Sequence, residues 1–155
     1  MNLQKKAIPI PIACCLLVFV VIANADQTEP NDGRVPIIYK IDGALTDESL
    51  YFVKVLKKRA AKDGFVTLWL TANLSFDFDF DNLTAQQIES QRQNVEAIFT
   101  AALEPLINSG LVWHPPGGPN IQGPGCIVRA KVGGIQGLVD DNRILQIAGM
   151  AHEET

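Results

Sequence analysis

Residues 65–72, Phe-Val-Thr-Leu-Trp-Leu-Thr-Ala, narrow the choice of fold more than any other stretch. In an extended chain Phe65, Thr67, Trp69 and Thr71 point one way and Val66, Leu68, Leu70 and Ala72 the other. Both sides are substantially apolar, which suits a strand in the middle of a sheet rather than one half in water. The segments around it must therefore supply neighbouring strands and at least one covering layer.

They read as such. Residues 35–41 (Val-Pro-Ile-Ile-Tyr-Lys-Ile) form a β-branched strand, and Pro36 near its start favours an edge position or a first strand residue. Thr46 or Asp47 caps a helix with Asp47 and Glu48 in its first turn, and its apolar positions Leu50, Val53, Leu56 and Ala60 recur at three and four. Lys57, Lys58, Arg59 and Lys62 crowd the last turns, where they compensate the helix dipole, and Gly64 ends the helix. A long helix spans 84–109. It opens with a Thr84–Gln87 capping box and carries a stripe of Ile88, Val95, Ile98, Ala102 and Leu106, widened by Phe99, Leu103 and Ile107. Pro105 kinks or frays its last turn, and Gly110 closes it. A strand starts at 111–113, and 114–125 is a Pro/Gly-rich loop without carboxylates, lysine or arginine. Residues 126–132 (Cys-Ile-Val-Arg-Ala-Lys-Val) alternate again, with Arg129 and Lys131 on one face. A short helix at 135–141, weakened by Gly133, Gly134 and Gly137, and a strand at 144–147 complete the order.

From residue 65 onward this is βαββαβ, the order of a ferredoxin-like α+β sandwich: an antiparallel sheet with two helices on one face, preceded here by an extra N-terminal β-α unit. The expected domain is 35–148, with a flexible C-terminal tail at 149–155.

The chain's start reads differently. Lys5 and Lys6 precede an apolar run from 7 to 22 interrupted by Pro9 and Pro11, and Ala23-Asn24-Ala25 has the small-x-small pattern of a cleavage site. That is a secretory signal peptide over 1–25, followed by a disordered lead-in at 26–34. The rival reading, a membrane anchor, has too few apolar residues for a span of about 20. Localisation is then secreted or periplasmic, with no membrane association after cleavage near Ala25. Cleavage leaves eleven basic side chains against seventeen acidic ones, a charge of −6 that opposes a nucleic-acid partner. Of the three cysteines only Cys126 would remain. It cannot make an internal disulfide, so a hydrophobic core must hold the fold. Cys126 itself suits a small buried hydrophobe, with an intermolecular partner or a nucleophile as alternatives.

The run Ser75-Phe-Asp-Phe-Asp-Phe-Asp-Asn82 places Asp77, Asp79 and Asp81 at the spacing that begins a calcium loop. A twelve-residue loop from Asp77 would need Gly at its sixth position and Glu at its twelfth, but has Asn82 and Ile88. These three aspartates are weak metal candidates. The stretch reads better as a strand-to-helix connection with acidic charge near a helix N-terminus. Catalysis finds no constellation either. His152, Glu153 and Glu154 would be solvated, and a Cys126–His114 pair lacks an orienting Asn or Asp. Asn73-Leu-Ser and Asn82-Leu-Thr match glycosylation sequons.

Gly-Phe-Val-Thr-Leu-Trp-Leu from Gly64, a Phe-rich acidic linker, and then Asp-Asn-Leu-Thr-Ala-Gln-Gln-Ile-Glu-Ser-Gln-Arg-Gln-Asn-Val with its Gln91-Arg92 pair resemble subtilisin-type prodomains and their free-standing relatives, the peptidase inhibitor I9-like family. The strand 126–132 and the pattern Ile135, Leu138, Val139, Arg143, Ile144, Ile147 are similar to the family's second half, so the resemblance spans 64–148.

The resemblance implies an inhibitor or folding chaperone of a subtilisin-like serine protease, without a cofactor and not an enzyme. The outer sheet face would dock on the protease, with Arg129 and Lys131 as candidate contacts; a plain solvated strand face is the alternative. Met150, Ala151, His152, Glu153, Glu154 and Thr155 would form the product-like inhibitory tail, with a frayed terminus as the alternative. There are departures: no protease domain follows in this polypeptide, the loop 114–125 lacks acidic caps for the protease helices, and the tail has no large apolar residue at its end. A non-inhibitory binding module, or a homo-oligomer closing through an exposed sheet edge, is the competing expectation.

Overall fold

The computed structural model describes residues 34–75 and 82–151. Within them the chain forms β1 (Ile37–Ile41), β2 (Ala44–Leu45), α1 (Asp47–Asp63), β3 (Val66–Ala72), α2 (Ala85–Asn108), β4 (Val112–Trp113), β5 (Asn120–Gln122), β6 (Gly125–Ala130), α3 (Val132–Asp140) and β7 (Ile144–Gly149). The signal-peptide segment, Asp77, Asp79 and Asp81, and His152 to Thr155 lie outside the described residues.

Seven strands among the described residues make one antiparallel sheet in the order β2-β1-β7-β3-β6-β4, with β5 also pairing with β6. β3 is central, as its two apolar sides require: it pairs with β6 on one side and β7 on the other. The run β7-β3-β6-β4 gives the βαββαβ part its expected sandwich order, and β1 extends the sheet beyond β7. Burial alternates strictly along β3, with Val66, Leu68, Leu70 and Ala72 buried and the residues between them half-buried. The buried set joins Ile38, Cys126, Val128, Ala130 and Ile147 from the other strands to Phe52 and Leu56 of α1, Phe99 and Leu103 of α2, and Ile135 and Leu138 of α3. The N-terminal unit thus adds a third helix to the layer formed by the other two.

Helix ends follow the sequence. Thr46 accepts the Ser49 N–H at the start of α1, and Gly64 ends that helix at φ 85°. Thr84 and Gln87 form the reciprocal capping box of α2, which continues through Pro105 to Asn108.

Five features differ from expectation. Within 114–125, read as a loop, Asn120–Gln122 forms β5 against β6. Asp42 (φ 50°) and Gly43 (φ 80°) make a two-residue turn that folds β2 back on β1, pairing Ile41 with Ala44. Positive φ at both central residues suits Asp-Gly and matches the twist of the strands. Next, β6 stops at Ala130 rather than 132. The Lys131 N–H donates to the Leu111 carbonyl and the Lys131 carbonyl accepts from Ile135, so Lys131 is the N-cap of α3. The helix then begins at Val132, and its glycines are spacers for close packing. A Cβ on Gly134 would lie 2.3 Å from the Leu111 carbonyl oxygen, and one on Gly137 2.6 Å from Leu106. Fourth, Ile144 and Leu145 together oppose Ala72, a β-bulge that puts Leu145 in solvent and returns Ile147 to the core. Finally, β7 runs to Gly149. Gly149 donates to the Pro36 carbonyl (2.8 Å) and Met150 to the Thr67 carbonyl (3.0 Å), so the tail starts later than 149.

The outward-facing backbone of β1 has an unusual partner. The buried Ser49 hydroxyl on α1 donates to the Tyr39 carbonyl and accepts from the Tyr39 N–H, both at 3.1 Å, and also accepts from Thr46. A side chain stands where a further strand would pair.

Candidate interaction face of the sheet

Among the described residues the three helices leave the other side of the sheet uncovered, and strand register fixes what it presents. One row crosses five strands: Ile37, Ala148, Trp69, Ile127 and Asn120. Beside it run Tyr39, Gln146, Thr71, Gly125 and Gln122, and on the other side Thr67, Arg129 and Trp113. Trp69 stands at the centre. Its indole lies across Gly125 so closely that a Cβ there would sit 1.9 Å from Cζ2. The glycine makes a shelf on which the ring lies flat. At the β1 end Ile37, Tyr39 and Ile41 are exposed, Ile41 at 57%.

Arg129 is the one charged side chain in these rows. Phe65 meets Trp113 edge-on with centroids 5.5 Å apart, and the Arg129 guanidinium carbon lies 5.1 Å from the Phe65 ring centre. The Arg129 Nε is buried with no hydrogen-bond partner among the described residues. The Phe65 ring, itself braced edge-on by Trp113, therefore holds the cation, so an arriving partner meets it already positioned. Lys131 does not join it, because it has left the strand to cap α3 and is exposed there.

Of the predicted tail, Met150 is anchored by its amide to Thr67 and is 41% exposed, and Ala151 is exposed. β7 thus ends beside β3. At the opposite end Asn73, part of a sequon, donates from its amide to the Asn142 carbonyl at 3.0 Å.

On the helix side, His114 and Cys126 both line a cleft of about 430 Å³ between α2 and β5, with Phe99, Leu103 and Ile121. The hairpin does bring the pair into one space. Its electrostatics oppose a thiolate–imidazolium couple: burial pushes the Cys126 thiol up to about 11 and lowers the His114 imidazole, so both are held neutral. Among the described residues no three His, Cys, Asp or Glu side chains gather as a metal site. No helix there is long and apolar enough to cross a membrane.

Apart from Thr67, Trp69 and Thr71 on β3 and Arg129 on β6, the residues of these rows were not singled out from sequence. The signal was present in the alternation of β3 and β6, but it needed the register to become a surface. No protein-family model, curated protein or solved structure matches this chain.

Proposed function

We propose that the chain is a secreted protein-binding module that inhibits a subtilisin-like serine protease or assists its folding. The observation that carries this reading is the sheet face left open among the described residues: an apolar row of Ile37, Ala148, Trp69 and Ile127, with the Arg129 cation held over Phe65 beside it and β7 running on to Met150. A flat sheet of this kind suits docking on helices of a partner, and an extended segment leaving it suits an active-site cleft. The leading segment of 1–25 supports export. No cofactor and no catalytic step belong to this reading. Neither half-buried His114 nor buried Cys126 lies on the docking face.

The test is inhibition of subtilisin by the whole protein, beside Ile127→Glu and a version ending at Met150. Micromolar or tighter inhibition, weakened at least tenfold by Ile127→Glu and lost without the tail, is the expected result. Equal inhibition by all three, or none by any, would sink it.

A second reading has its own support. β1 widens the apolar field with Ile37, Tyr39 and Ile41, in a segment that the resemblance to protease prodomains does not cover. A different partner, or a second copy packed face to face, would use that extension. Light scattering of the whole protein beside Ile37→Asp separates the two: a dimer broken by the substitution favours the second reading.

A further inference from the structure

We infer that the cleft between α2 and the β5 edge is a binding site for a small apolar molecule ending in an ammonium group. It lies on the helix side of the sheet, so it is independent of the docking face. At about 430 Å³ it falls in the range of small-molecule sites and far exceeds a packing defect. Phe99, Leu103 and Ile121 supply apolar walls, and Cys126 adds a fully buried, neutral thiol. The charges in the lining have one sign. Glu96 and Glu104 stand two turns apart on α2, and among the described residues neither lysine nor arginine lines the cleft.

Glu96 already holds Arg92, whereas Glu104 has no ion-pair partner among the described residues. An incoming ammonium would meet that carboxylate uncompensated, and an anion would meet two carboxylates. His114 also lines the cleft, but its Nδ1 is closed to solvent and out of reach of a ligand there, so the class of ligand rests on the carboxylates and the apolar walls.

The experiment uses the whole protein, isotope-labelled, titrated at pH 7 with 2-phenylethylamine and separately with 2-phenylethanol. The amine is expected to shift the resonances of Phe99, Leu103, His114 and Ile121 saturably, with Kd below about 1 mM, as a good ligand of this size allows. The alcohol, the same shape without charge, is expected to bind at least tenfold more weakly. Glu104→Gln, on an exposed helix position, should weaken the amine about three- to tenfold and leave the alcohol unchanged. Absence of saturable shifts at these residues would overturn the inference. So would equal affinity for amine and alcohol, or amine preference that survives Glu96→Gln and Glu104→Gln together.

Discussion

Gly125→Ala is the sharpest perturbation of the docking face, because one methyl group would have to occupy the space of an indole. The added Cβ would sit 1.9 Å from Trp69 Cζ2, 2.4 Å from Cε2 and 2.7 Å from Cη2. The ring must therefore leave its shelf. Overpacking of this kind costs about 1–3 kcal/mol. Gly125 does not adopt positive φ, so alanine meets no backbone penalty and restricts the unfolded chain, which returns about 0.4–1 kcal/mol. The net loss should be about 1–2 kcal/mol. If the collision with Trp69 is the whole cause, Gly125→Ala should become neutral or slightly stabilising once Trp69→Ala has removed the ring. A double-mutant cycle by urea unfolding would then show a coupling of about 1–3 kcal/mol, with a shifted midpoint and an unchanged slope. One of the chain's two tryptophans moves in the single variant, so its emission should change as well. Strictly additive effects, with Gly125→Ala equally harmful in both backgrounds, would refute the reasoning and place the cost in β6 itself.

Ser49→Ala should cost about 2 kcal/mol, since it strips the amide and carbonyl of Tyr39 of their partner; equilibrium unfolding measures it, and a loss below about 0.5 kcal/mol would show that water replaces the hydroxyl. The Asp141 carboxyl is held below its ordinary value chiefly by hydrogen bonding from Arg143. Its contribution is therefore complete above the unfolded value near 3.8 and lost as pH falls through the lower folded value, so Asp141→Asn should flatten the acid limb of the stability curve and leave the slope near neutrality unchanged. Cys126, fully buried and with its thiol pushed up to about 11, should resist disulfide-exchange labelling in the folded protein and react promptly in denaturant; fast labelling without denaturant would contradict its placement.

Local chemistry was legible in the sequence wherever a residue acts on its own neighbours. The Thr84–Gln87 box, the Thr46 cap, the Gly64 stop and the central position of β3 could all be read from spacing alone. What escaped depends on partners distant in sequence. Gly134 and Gly137 look like helix breakers until Leu111 and Leu106 occupy the space a Cβ would need. Lys131 continues the alternation of β6 on paper, but the Leu111 carbonyl captures its amide and turns the chain into α3. Leu145 would sit on the wrong face without a bulge that no pattern announces. Asp42-Gly43 was the exception, a readable turn signal overlooked between two stronger elements. The cleft was similarly half visible: His114 and Cys126 could be suspected of meeting, but the empty volume beside α2 belongs to neither sequence segment alone.

The hydroxyl of Ser49 also bears on how copies of this protein can meet. A row of unpaired backbone groups at a sheet margin recruits strands from other molecules, and repeated recruitment leads to fibrils. Along β1 the next places in that row are filled, by Ser49 at Tyr39 and by the β2 turn at Lys40 and Ile41. A visiting strand would gain little backbone pairing there and would first have to displace α1's first turn. This stretch of β1 is closed to strand addition while the broad Trp69 face stays open among the described residues. Crowding would then favour pairs that shield their open faces over chains that lengthen through β1.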